Sequence, residues 1–225
     1  MAQHAILRTI QVGTPQRYAV PAAERGREHS WTPSFFRQPE PQRRWLATTH
    51  LAGNVQADPR NHGTPNQAVL VHAAALYPRW WAELGRDDIG PGGVGEHFTV
   101  DGLDEATICI GDVYDVCEAR IPVAGPRYPC AKISRRWGIP ALTARVAETG
   151  RTGWDCRVLR EGWVEPEAPL ALVNRPCPGI TVATVNEVGH GRTRDAAAAR
   201  ELDACPLLPE WWQQLVVRRA AGAES

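Results

Sequence analysis

The feature that most constrains this chain is a succession of short apolar runs separated by Gly-, Pro- and Asp-rich turns. The runs are Ala5–Val12, Trp45–Thr49, Ala68–His72, Phe98–Val100, Thr107–Ile110, Val113–Val116, Ala119–Val123, Trp154–Leu159, Trp163–Val164 and Leu170–Asn174. Between them stand Asp101-Gly102, Gly111-Asp112, Glu161-Gly162 and Pro166. Many short strands at such spacing predict a mainly β protein, a barrel or sandwich. Gly111-Asp112, between TICI and VYDV, reads as a hairpin turn.

Two helices interrupt the strands. Ala74–Leu84 carries Leu76, Trp80 and Leu84 at four-residue spacing, with Pro78 restricted to its first turn. Pro140–Thr149 has proline at its start, Leu142 and Val146 on one face, and Gly150 as a cap. After residue 178 the pattern changes: Thr181–Val188, Asp195–Ala204 and Pro209–Ala221 read as short helices. The expected organisation is a β domain over 1–178 and a helical appendage over 179–225. The appendage is too small to hold a large core alone. Residues 22–44, rich in Arg, Glu, Pro and Ser, read as a long surface loop.

Basic and acidic residues balance at 25 each, so no long-range field draws the chain to nucleic acid or to an anionic membrane. No apolar run approaches the roughly 20 residues of a membrane span, and MAQHAILRTI lacks a signal-peptide pattern. The expected location is the cytoplasm. None of Cys109, Cys117, Cys130, Cys156, Cys177 and Cys205 forms a CxxC pair, which argues against a zinc ribbon. Cys109 and Cys156 lie in apolar runs and read as core residues.

Cys130 is different. It lies in Gly125-Pro-Arg-Tyr-Pro-Cys-Ala-Lys132, after a proline and between two cations. A thiolate is a soft ligand for a metal such as molybdenum, and positive neighbours favour the reactive thiolate. Arg127 and Lys132 are also suited to a phosphate. The competing reading is a proline-rich turn with a buried thiol and solvated charges. Lys132 is the only lysine, so a pyridoxal phosphate Schiff base could form nowhere else. Three further segments have both a pocket reading and a turn reading. These are Asp58-Pro-Arg-Asn-His62-Gly-Thr-Pro-Asn66-Gln67, the glycine-rich Gly90–His97, and Glu148-Thr-Gly-Arg151-Thr-Gly153.

Taken in order, HLAGNVQADPRNHGTPNQAV, GVGEHFTVDGLDEATICIGDVYDV, GPRYPCAK and ETGRTGW resemble the MOSC family, in its stand-alone bacterial YiiM-type branch, and the C-terminal helices resemble that branch's three-helix appendage. The resemblance runs from about residue 5 to 220. It implies a β-barrel holding molybdenum cofactor, with Cys130 as metal ligand and catalytic residue. It places Arg127, Lys132, His62, Asn66 and Arg151 around the pterin and phosphate. It implies a reductase of N-hydroxylated small molecules, served by an external electron-donor protein because the chain has no flavin, haem or iron–sulfur motif. A non-catalytic carrier of cofactor or sulfur is the alternative, and a cofactor-free hydrolase with a Cys130–His dyad a third. A sulfurase using pyridoxal phosphate is not expected, since no separate domain for it fits. A homodimer is compatible with everything above. The chain departs from the family pattern at Asn66, where a carboxylate is common, at His97 for asparagine, and at Gly125, often glutamine. Proton delivery is therefore expected from His62 or His97.

Overall fold

In the computed structural model the described residues are 5–20, 29–55 and 64–222. Seven strands close into a barrel: β1 (Ala5–Val12), β6 (Val69–Ala73), β7 (Phe98–Asp101), β8 (Val113–Val116), β9 (Ala119–Pro126), β10 (Trp154–Cys156) and β12 (Ala168–Asn174). Their order is β12-β8-β9-β10-β6-β7-β1, and β1 returns to β12 with Ala5 opposite Leu170. Closure leaves no free barrel edge. The three-residue β4 (Gln38–Glu40) extends β1, while β2 (Tyr18–Val20) pairs β3 (His29–Trp31), and β5 (Arg44–Leu46) pairs β11 (Gly162–Val164). Barrel neighbours are antiparallel except β6 and β7. That parallel pair needs a crossover, supplied by helix α1 (Tyr77–Leu84) and the glycine-rich loop.

Alternation decides which side chains fill the barrel. Leu7 and Ile10 of β1, Phe98 of β7, Ile121 of β9 and Trp154 of β10 are fully buried. Helix α1 starts as expected, with Pro78 in its first turn after a 3-10 turn over Ala74–Leu76, and ends at Gly85 in the left-handed conformation. Helix α2 (Lys132–Trp137) is followed by α3 (Leu142–Thr149), so Pro140 stands before the latter rather than inside it. Gly150 caps α3 as expected, at φ 67°.

Two expectations need correction. Thr107–Ile110 is no barrel strand. It instead anchors the helical appendage, with Cys109 bridging Thr181, Ile110 N–H donating to Ile180 O at 2.8 Å, and Val182 N–H donating to Ile108 O at 2.9 Å. The hairpin accordingly turns at Cys117-Glu118, between β8 and β9, and not at Gly111-Asp112. Asp112 is fully buried, accepting from Cys109 N–H at 2.9 Å and from Arg175 at 2.7 Å. The second correction concerns the loop over 22–44. Residues 21–28 lie outside the described residues, but 29–44 carry β3 and β4 and send Phe35 and Arg37 inward.

The appendage has three helices, α4 (Val182–Gly189), α5 (Ala196–Asp203) and α6 (Glu210–Ala220). Thr181 caps α4 by accepting Thr184 N–H at 3.0 Å, and Asp195 caps α5 by accepting from Ala197 and Ala198. Trp212 of α6 is fully buried, and its indole N–H donates to Pro126 O at 3.1 Å. Gly189 permits this approach, since a Cβ there would lie 2.4 Å from the Trp212 ring. None of the described helices is long and apolar enough to cross a membrane.

Candidate functional site

The site grows from the end of β9. Arg127 continues the strand's pairing, its N–H donating to Gly153 O at 3.1 Å. The chain then turns through Tyr128 and Pro129 to Cys130, where α2 begins. Cys130 is half-buried, and Lys132 N–H points at its sulfur from 3.5 Å. The Cys130 carbonyl accepts from Ile133 N–H at 3.0 Å and from the Thr143 hydroxyl at 3.2 Å. The thiol thus sits on a fixed corner between strand and helix.

Around it the fold collects guanidinium groups. Arg127 is 8% exposed, donates to Val94 O at 3.0 Å and lies 5.8 Å from the Phe35 ring centre. Burial lowers its pKa, against Cys130, Asp155 and Glu96, which favour its charge. Arg37 is lowered too, first by burial and further by Arg127 and Arg136, against Glu96. Arg136 sits 5.8 Å from the same Phe35 ring and donates to Phe35 O at 3.2 Å and to Gly92 O. Guanidinium stays protonated at neutral pH. The lowering therefore measures how poorly burial and mutual repulsion suit these charges, and an incoming anion relieves both.

The glycine-rich loop serves this cluster through its carbonyls. Gly92, Gly93 and Val94 accept from Arg136, Trp137 and Arg127 respectively. Gly95, at φ 84°, has no room for a side chain against Phe35. Glu96 is fully buried and accepts from Tyr77, Gly92 N–H at 2.7 Å and Thr99 at 2.9 Å. His72, fully buried beside it, is pushed down to about 4 by burial, so it is neutral.

The residues singled out in the sequence have different fates. Cys130, Arg127 and Lys132 share one corner. Asn66 lies in a 3-10 turn (Pro65–Gln67) that faces Gly125 and Asp155 across a narrow cleft. His97 is buried, and its Nδ1 accepts Leu70 N–H at 2.9 Å, which makes Nε2 the protonated nitrogen. Burial drives its pKa well below the usual histidine value, with Arg37 adding to the effect. Arg151 pairs with Glu83 of α1 at 2.6 Å and stacks 4.9 Å over Trp80. His62 lies outside the described residues.

Sequence reasoning missed Arg37, Arg136 and Asp155. Asp155 had a signal: a carboxylate in the middle of the apolar run WDC, 7% exposed and pushed up to about 7 by burial, against Arg127 and Arg37. Arg37 and Arg136 had none, because only the fold brings them to Arg127.

Among the described residues no group of three or more His, Cys, Asp or Glu is placed to hold a metal ion. Cys130 can give one soft ligand, so any metal must arrive with most of its ligands. A metal already chelated by an anionic organic ligand fits the donor set, since the arginines answer its charge.

Comparison with known proteins agrees with this geometry. Residues 58–171 match the MOSC domain, and residues 180–223 match the YiiM-like 3-alpha helix domain. YflK of Bacillus subtilis (strain 168) is 36% identical over 174 residues, covering 77% of this chain and 78% of that protein. A protein named reductase from Gibberella moniliformis (strain M3125 / FGSC 7600) is 29% identical over 181 residues, 79% of this chain but 32% of that protein. The crystal structure of YiiM from Geobacillus stearothermophilus superposes with a TM-score of 0.77 at 27% identity, covering 96% of this chain and 99% of that one. The closed seven-stranded barrel with its C-terminal helices and the matched sequence lead to one assignment: the chain belongs to the MOSC domain family, as a YiiM-type member.

Proposed function

We propose that this protein binds molybdenum cofactor through Cys130 and reduces N-hydroxylated small molecules. The MOSC family is associated with that cofactor. The observation that carries the reading is the half-buried Cys130 thiol beside three guanidiniums, Arg37, Arg127 and Arg136. Among the described residues these face only the carboxyls of Glu96 and Asp155. A relative named reductase supports the reaction class.

Cys130 would ligate the metal, and Arg127, Arg37, Arg136 and Lys132 would hold the anionic pterin and phosphate. When bound, the cofactor supplies two-electron redox chemistry and accepts oxygen. The chain's own residues do the rest. The Lys132 N–H aimed at the sulfur stabilises a thiolate at Cys130. Burial of Arg127 and Arg37 keeps water from weakening their attraction for the ligand. Electrons come from an external flavin or iron–sulfur donor protein, and the reaction takes place in the cytoplasm.

The test is metal and pterin analysis of protein made in a cofactor-competent host. Wild type and Cys109→Ser should carry molybdenum, and Cys130→Ser none. Equal molybdenum in Cys130→Ser would remove Cys130 from the site. A loaded protein without turnover over a broad panel of N-hydroxylated compounds would make it a carrier. Turnover in metal-free protein would make it a cysteine hydrolase.

A further inference from the structure

The cleft next to the cysteine corner is built from three parts of the chain. One wall is the 3-10 turn carrying Asn66 and Gln67, a second is Gly125-Pro126 of β9, and the third is Trp211 and Trp212 of α6. Asp155 lies on its floor, in register with Gly125 on one side and Leu70 on the other. Gly125 has no side chain to cover the carboxyl opposite it. A Cβ there would come within 3.3 Å of Trp212, so the indole packs directly on the bare backbone. Trp211 is 41% exposed and Tyr128 is 47% exposed, and their rings lie 6.2 Å apart at the rim. The cleft therefore has aromatic sides, amide groups at its lip and one carboxyl at its base.

We propose that Asp155 is the acid of this cleft, holding the proton that the departing oxygen of an N-hydroxylated ligand takes up. The proposal rests on the reductase reading above. The reduction consumes two electrons and two protons: R–NHOH becomes R–NH2 and water as the N–O bond breaks. Electrons come from the flavin or iron–sulfur donor. Asp155 gives one proton to the leaving oxygen, solvent gives the other, and solvent then reprotonates the carboxylate.

Other groups lining the cleft do not fill this role. Asn66 and Gln67 are amides and cannot titrate. The charged groups facing Asp155 are Arg127, from the end of β9, and Arg37, from the segment before β4, while Gln67 hydrogen-bonds it from the turn. Cys156, its neighbour on β10, is buried with its thiol pushed up, and α6 presents only Trp211 and Trp212. A carboxyl beside two guanidiniums would ordinarily be ionised. Burial outweighs them and pushes Asp155 up to about 7, so a substantial fraction stays protonated at neutral pH.

The experiment has two arms. Apo-protein labelled with 13C-aspartate should show by NMR one carboxyl titrating near 7, and Asp155→Asn should remove that signal. In cofactor-loaded protein, kcat/KM should fall as pH rises through that range, because the protonated acid is the active form. Asp155→Asn should lose about a hundredfold in kcat and flatten the profile, with molybdenum content unchanged. Asp155→Glu should restore part of the rate. A carboxyl that titrates at the ordinary aspartate value overturns the proposal, even if Asp155→Asn fails to fold. So does a loaded Asp155→Asn protein with wild-type rate and profile, which leaves the reductase reading intact. A loaded wild type without turnover overturns both.

Discussion

Strand β9 runs between two cysteines in opposite surroundings. Cys117, just before it, is exposed in the β8–β9 turn, while Cys130, just after it, is half-buried. At the Cys117 end charges are paired at the surface: Arg120 with Asp115 at 2.7 Å, and Arg160 with the same carboxylate at 3.3 Å. Burial raises the Cys117 thiol pKa, and Glu165 and Glu118 add to the effect. At the Cys130 end guanidiniums are buried beyond what the described carboxyls match. Charge at the first end is settled within the fold, whereas charge at the second calls for a ligand. Exposure alone would rank these thiols in the wrong order.

The largest expected effect tests the second end. Arg127→Met should cut molybdenum content more than about tenfold, because it removes a charge-assisted contact to the anionic part of the cofactor. Full retention, measured by metal analysis, would mean that the cluster serves only folding. Next, brief alkylation of apo-protein at neutral pH should label Cys130 about tenfold faster than Cys117, a ratio equal to about 1.4 kcal/mol. Mass spectrometry reads the ratio, and faster labelling of Cys117 would reverse the comparison. The smallest effect belongs to the paired end. Asp115→Asn should change unfolding free energy by no more than about 1 kcal/mol in denaturant titration and leave Cys130 labelling unchanged. A larger loss would show that the surface pairs hold the hairpin.

Elements governed by local chemistry were legible in the sequence. Ala5–Val12 alternates, Thr181 and Asp195 cap helices, and Gly150 closes one. Thr107–Ile110 was misread because apolar side chains report burial and not the backbone's partner. Its hydrogen bonds go to the start of α4, far away in sequence. Helix α2 was missed because KISRRW contains only one fully buried residue, Ile133, and so shows no amphipathic period. At the site, the cysteine and its near neighbours were visible in one short motif. The arginine cluster was not, since Arg37, Arg127 and Arg136 come from three separate segments. The proton-bearing group was sought among histidines, and the buried carboxyl of Asp155 went unnoticed inside a strand. Two departures from the family pattern, Asn66 and Gly125, line the same cleft as that carboxyl.

The bond from the Trp212 indole to the Pro126 carbonyl has a consequence for biosynthesis. A ribosome makes the cysteine corner well before it makes α6, and domains fold as units while the chain emerges. Until α6 arrives, the backbone at Pro126 lacks this clamp and the cleft lacks its third wall. The barrel also waits, because β1, the first strand made, cannot complete its pairing before β12 appears. A nascent chain stalled between β12 and α5 would hold a closed barrel with an unfinished pocket. Competence to retain a ligand is therefore acquired late in translation, after the scaffold that carries the thiol is already in place.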